Sequence, residues 1–230
     1  MSTVSWTSTA RCTPRAGRLC PPVPGPTPPP TTPWAPLNCS IFLSDIAGFG
    51  DPDRDDDDRV VLRATLFHLL PDVFEGSGLP WTSCLHQDRG DGILTIVPPT
   101  VSTMVLVNPL LTLLATRLRR YNRQAGDPVR MQLRTALHVG PVLLDGRGFP
   151  NQSLIHAVRM LDAPVLKRSL AATGADLAAM VSEHVYDTVV RQACGTVDPS
   201  SFRRVRYQVK KAKITSWMYL APAAQSWPAR

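Results

Sequence analysis

Long apolar runs are missing from this 230-residue chain, and none approaches the roughly 18–20 residues that a bilayer crossing needs. The N-terminus lacks the apolar stretch of a secretory signal. No membrane association and a cytoplasmic location are therefore expected. Cysteine is scarce: five residues, an odd number, with no C-x-x-C pair and no histidine spacing to go with one. That excludes a disulfide framework and a thiolate zinc site. Cys39 and Cys84 fall inside apolar, strand-like runs, where a free thiol packs as a small hydrophobe. Aromatic residues make up only 7 % of the chain, and no helix-turn-helix pattern accompanies its basic clusters. The formal charge of +7 is spread over the N-terminus, the end of one helical segment and the last strands. With no groove-reading motif beside these cations, a solvated surface explains them better than a nucleic-acid partner does.

What the chain does have is proline at one end and a globular pattern after it. Residues 1–36 hold PPVPGPTPPPTTPWAP, in which each proline removes a backbone donor and fixes φ. This tail is expected to be disordered or polyproline II, a spacer or a ligand for a proline-reading partner. Residues 37–222 form the expected domain, and 223–230 a short C-terminal tail.

Within the domain, CSIFLSDI reads as a buried strand and AGFGDPDRDDDD as a glycine- and aspartate-rich loop. The acids Asp55 to Asp58 suit the first turn of a helix, where the dipole favours negative charge. Its apolar positions are read as Val60, Val61, Ala64, Leu66, Phe67 and Leu70. LPWTSCLHQDRGDGILTIVPP is a hairpin around D-R-G-D-G. A helix from Val101 to Asn122 follows, interrupted at Pro109. VRMQLRTALHVGPVLLDG reads as a strand pair, with Met131, Leu133, Thr135 and Leu137 alternating against polar residues. Residues 152–171 are helical with a bend near Pro164, DLAAMVSEHVYDTVVRQA is a strand and a helix, and FRRVRYQVKKAKITSWMYL closes the domain as two strands. The order β-α-β-β-α-β-α-β-α-β-β excludes a doubly wound parallel sheet. It fits an α/β (α+β) fold, a mostly antiparallel, ferredoxin-like sheet with helices packed on one face.

Two acids stand where packing does not require them. Asp45 ends the first strand, ahead of glycines that let a backbone approach an anion. Asp91 lies at a hairpin tip between Gly90 and Gly92, a position where aspartate is commonly structural. Together, on neighbouring strand ends, two aspartates can share hard cations such as Mg²⁺ or Mn²⁺. His86, His138 and His156 read as packed or surface histidines, and Trp81 and Trp217 as anchors between sheet and helices.

In this order, D-I-x-G-F, G-D-G, RTALHVG and A-V-R-M-L-D-A-P resemble the class III nucleotidyl cyclase homology domain, over about residues 38–222. DIAGFGDP, PW-x-x-C, DRGDG, LHVG and RMLDAP further resemble divergent bacterial stand-alone cyclase-like proteins. The resemblance implies a cyclase fold, a nucleoside triphosphate substrate, two bound Mg²⁺ or Mn²⁺ ions and a homodimer with sites at its interface. It also implies particular roles. Asp45, Asp91 and the carbonyl of Ile46 would be metal ligands, and Ala47, Gly48, Phe49 and Gly50 a triphosphate cradle. Arg159 would steady the transition state, and Lys211 or Lys213 would bind phosphate from the last hairpin. Two departures accompany these matches. Ile155 stands where the family orients ribose with asparagine, and Gln87 where it reads the base with lysine. The second base-reading position falls in residues 145–153, where Asp145 or Asn151 could substitute. An active cyclase and a catalytically degenerate nucleotide-binding or regulatory module are therefore both open.

Overall fold

The computed structural model describes residues 37–143, 151–192 and 197–221. The proline-rich tail, the C-terminal tail beyond Ala221 and most of the 145–153 loop lie outside the described residues.

β1 (Leu37–Ile46) is the centre of the molecule. Its apolar run CSIFLSDI is buried on both sides because it pairs antiparallel with β3 (Gly92–Val97) and with β4 (Leu133–Val142). β2 (Leu85–Asp88) flanks β3, and β5 (Leu177–Ser182) lies parallel to β4. β6 (Phe202–Val209) and β7 (Ala212–Leu220) form the last hairpin. The seven strands run β2-β3-β1-β4-β5-β7-β6, antiparallel except for β4 and β5. The expected mixed fold and strand order are found, with one difference in β4. That region is a single ten-residue strand rather than a strand pair.

Helices cover both faces of the sheet, not the one face that the element order suggested. On one side α1 (Asp56–Gly76) and α3 (Leu110–Asn122) pack over Phe42, Leu133 and Leu137. On the other, α4 (Gln152–Leu161) and α5 (Pro164–Thr173) pack over Ile41, Leu43, Leu94 and Ala136. Alternate residues of β1 and β4 supply the two cores, as the period-2 geometry of a strand requires. Helical crossovers return the chain to a central strand from both sides, and each helix needs an apolar face to cover. A short helix α2 (Thr103–Val107) stands before α3, separated by Asn108 and Pro109.

α1 begins as the acids imply. Asp55 is its N-cap, its carboxylate accepting from the Asp58 amide at 2.8 Å while Asp58 accepts from the Asp55 amide at 3.1 Å. The buried stripe, however, is Leu62, Leu66, Leu70, Val73 and Phe74. Val60 and Val61, expected in the core, are 66 % and 45 % exposed. The helix is turned so that a leucine at every fourth position meets the sheet.

Both tryptophans anchor core packing. Trp81 meets Phe74 edge-on at 5.0 Å and stacks on His86, and Trp217 stacks on Tyr186 at 3.4 Å. His86 is an exposed histidine lying on Trp81, its Nε2–H donating to the Trp81 carbonyl at 2.9 Å. Cys39 and Cys84 are free thiols. No helix among the described residues is long and apolar enough to cross a membrane.

Candidate metal and nucleotide site

Asp45 faces α4 from the C-terminal end of β1, opposite Gly92 on one neighbour and Arg134 on the other. The β2–β3 turn brings Asp91 alongside, and the Ile46 amide donates to the Asp91 carbonyl at 2.9 Å. Gly92 is required by this closeness. A β-carbon there would lie 2.9 Å from Asp45 Cα, 3.0 Å from its Cβ, and closer still to the Ser44 carbonyl. The turn is buttressed by Arg63 of α1, which pairs with Asp88 and donates to the Gly90 carbonyl.

Asp45 and Asp91 line one cavity of about 170 Å³, together with Arg89 and with Val158, Leu161 and Asp162 from the end of α4. Asp162 is a third carboxylate that the sequence reading quoted inside RMLDAP without assigning it a role. It also pairs with Lys167 at 3.2 Å. Asp45 itself is held by Arg134 in a two-pronged ion pair, Nε to Oδ1 at 2.9 Å and Nη2 to Oδ2 at 2.7 Å. Both side chains are only 12 % exposed. Burial nevertheless pushes the Asp45 carboxyl up to about 7. Arg134 opposes the rise, while nearby Asp91 and, more weakly, Asp162 add to it.

On the other side of Arg134 is a second cavity of about 360 Å³, lined by Ala47, Gly48, Gln132, Arg54, Lys167 and Arg134 itself, among others. The loop after β1 is tied down from within. Arg54 donates to the Gly48 carbonyl at 2.9 Å and the Arg130 carbonyl at 2.9 Å, and Arg59 to the Phe49 carbonyl at 3.2 Å. Ala47 and Gly48 thus border open space. Phe49 instead packs against the α1 side of the core, and Gly50 is exposed.

The remaining predicted residues lie apart. Arg159 is on α4, next to Val158 but outside the set lining the first cavity, and its buried Nε has no hydrogen-bond partner among the described residues. Gln87 is exposed on β2, a strand at the edge of the sheet. Lys211 is in the β6–β7 turn. Because Ser216 pairs with Ser182 and Leu220 with Ala178, that turn lies at the sheet end opposite Asp45. Lys213 starts β7 at that same end, opposite Gln208. Ile155 is 42 % exposed on α4. Asn151 caps that helix, its side-chain oxygen accepting from the Leu154 amide at 2.9 Å. His138 and His156 sit side by side between β4 and α4, ring centres 4.7 Å apart. Burial, with His156 and His184 close by, holds His138 down to about 4.

Among the described residues, no group of three or more His, Cys, Asp or Glu side chains is arranged to hold a metal ion by itself. Ile46 is not among the residues lining the first cavity, but the two carboxylates suit a hard cation that keeps water and takes its other ligands from phosphate oxygens. The donor set therefore fits Mg²⁺ or Mn²⁺ bound with a nucleotide.

This architecture is that of nucleotidyl cyclase catalytic domains. The guanylyl cyclase Cya2 superposes with a TM-score of 0.57 at 16 % identity, over 86 % of this chain and 98 % of that one. An adenylate/guanylate cyclase/hydrolase from Silicibacter pomeroyi gives 0.59 at 16 % identity, over 81 % and 98 %. The catalytic core of a rhodopsin-guanylyl cyclase with converted specificity, in complex with ATPαS, gives 0.57 at 15 %, over 81 % and 97 %. No family model matches the chain, and no curated protein sequence does. At these identities the likeness establishes the fold.

Proposed function

We propose that the protein is a nucleotidyl cyclase that converts a nucleoside triphosphate into a cyclic nucleotide and pyrophosphate for signalling, as a cytoplasmic homodimer. The observation that carries this reading is the convergence of Asp45 and Asp91 on one cavity, within a cyclase fold and beside the Ala47–Gly48 loop. Asp45, Asp91 and the Ile46 carbonyl would hold two divalent ions, which when bound lower the proton affinity of a hydroxyl and screen phosphate charge. The reaction joins the ribose 3′-oxygen to the α-phosphorus, releases the hydroxyl proton and expels pyrophosphate.

The chain's own residues do the positioning. The loop of residues 47–50, of which Ala47 and Gly48 border open space, would cradle the triphosphate next to Asp45. Arg159, whose buried Nε has no hydrogen-bond partner among the described residues, would supply a guanidinium for the charge that develops at the α-phosphate. Lys211, or Lys213, lies at the far end of its own sheet, so a second protomer has to deliver it. The dimer of this reading is thus a requirement of the chemistry.

The test is purified protein with Mn²⁺ and each of the four nucleoside triphosphates, assayed for cyclic product. Absence of product from all four at high enzyme concentration would overturn the enzymatic reading.

A second reading is a degenerate module that binds nucleotide and serves regulation. Ile155 and Gln87 favour it. Ile155 has no side-chain donor with which to orient ribose, and Gln87 is exposed on an edge strand. Loss of one orienting donor costs on the order of 10²–10³ in rate. Calorimetry with a non-hydrolysable triphosphate, comparing wild type with Asp45→Ala, identifies this case by metal-dependent binding without turnover.

A further inference from the structure

A hard divalent ion at Asp45 would need the carboxylate oxygens, and in this structure each already accepts from a guanidinium. Arg134 grips them at 2.9 and 2.7 Å in the planar, two-pronged geometry that makes guanidinium–carboxylate pairs strong. Arginine keeps its charge at any working pH, so it cannot give way by losing a proton. A divalent ion on the same oxygens would stand a few ångströms from a full positive charge, with little water between to screen it. The two cations therefore compete for Asp45.

The surroundings offer the guanidinium somewhere else to go. Arg134 is pinned by its backbone between β1 and β5, so only its side chain can move. That side chain already borders the cavity of about 360 Å³ beside Ala47, Gly48, Gln132 and Lys167. Turning away from Asp45 would take it into that space, next to the loop assigned above to the triphosphate. Asp45, Asp91 and Asp162 meanwhile share the first cavity with only Arg89 as a cationic lining residue.

We infer that Arg134 is the resident counter-cation of the two-aspartate site, holding Asp45 in place while no divalent ion is bound and exchanging with that ion when one binds. This rests on the metal-site reading of Asp45 and Asp91. Arg134 is a positioning residue in this scheme. It keeps a buried carboxylate ordered and compensated in the empty state, and it sets the metal concentration at which the site fills. Its release also presents a guanidinium to the cavity at the Ala47–Gly48 loop, so metal binding and phosphate binding are linked in both directions.

The test is Mn²⁺ binding to the full, nucleotide-free chain, followed by electron paramagnetic resonance of the free ion at pH 8.5 and constant ionic strength. Wild type, Arg134→Gln, Arg134→Lys and Asp45→Asn are compared, with folding checked by circular dichroism. Arg134→Gln should bind Mn²⁺ roughly tenfold more tightly, within the usual range of such linkages. Arg134→Lys, which keeps the charge but not the two-pronged grip, should fall between wild type and Arg134→Gln, and Asp45→Asn should lose binding. Equal or weaker binding by folded Arg134→Gln, with wild type still binding, would overturn the exchange and leave the metal site standing. Failure of every protein to bind without nucleotide would overturn the exchange, and failure again with a non-hydrolysable triphosphate present would overturn the metal site as well. A second measurement uses only wild-type protein. The Arg134 Nε–H nitrogen resonance, protected by Asp45, should lose protection from solvent exchange when Mg²⁺ saturates the site. Protection that persists with Mg²⁺ bound would overturn the inference, whatever the variants do.

Discussion

Gly92→Ala tests whether the site is built by a close strand approach. The added methyl would lie 2.9 Å from Asp45 Cα and 3.0 Å from its Cβ. Comfortable carbon–carbon separations are about 3.5–4.0 Å, so the shortfall is at least about 0.5 Å, and it is greater at the Ser44 carbonyl. The atoms in the way belong to β1, which is hydrogen-bonded on both sides and covered on both faces. They cannot swing aside as a surface side chain would. Overpacking of this kind costs about 1–3 kcal/mol, and the rigid neighbour places this case near about 3. For a domain of this size that lowers Tm by about 6–12 °C. Gly90→Ala is the internal control. It meets no atom within 4 Å and is opposed only by its φ of +88°, a penalty of about 1 kcal/mol. Thermal unfolding by circular dichroism measures both, and amide exchange at Ile46, whose N–H reaches Asp91, reports on the turn itself. If Gly92→Ala melts within about 2 °C of wild type and keeps the Ile46 amide protected, the close-approach argument is wrong.

Two further predictions concern stability. Asn122, buried at the end of α3, accepts from the Met131 amide at 2.8 Å and donates to the Met131 carbonyl and Asp176, each at 2.7 Å; Asn122→Ala should cost about 2–4 kcal/mol in urea unfolding, because it strands a buried donor and acceptor. Asp45, raised to about 7, favours folding at acid pH and loses that contribution as pH climbs from about 4 to 7, whereas His138, lowered to about 4, gains its contribution as pH climbs toward 6.5. The two slopes oppose, so Asp45→Asn should make stability rise more steeply than wild type between pH 4.5 and 6.5, and parallel profiles would refute the assignment.

Local order set most of what the sequence by itself determined. Strand and helix types follow from side-chain spacing within a few residues, which is why the order of strands and helices, the acidic start of α1 and the interruption at Pro109 could be read in advance. The pairing of Asp45 with Asp91 was instead implied by the cyclase resemblance, since local order alone made Asp91 an ordinary turn aspartate. Phase and partnership were another matter. Val60 and Val61 satisfy a helical period as well as Leu62 does, and only the position of α1 against Phe42 selects among them. Single-strand β4 and the covering of both sheet faces likewise depend on how distant segments return to β1. Arg134 could be placed on the face opposite Leu133 and Leu137 by alternation, but nothing local said that Asp45 stands across from it. Asp162 reaches the same cavity only because α4 lies over β1 and β4. Spacing along the chain carries the chemistry of each element. The order β3-β1-β4, formed by contacts remote in sequence, decided that the two aspartates share their cavity with a third acid and that one of them is already held by a guanidinium.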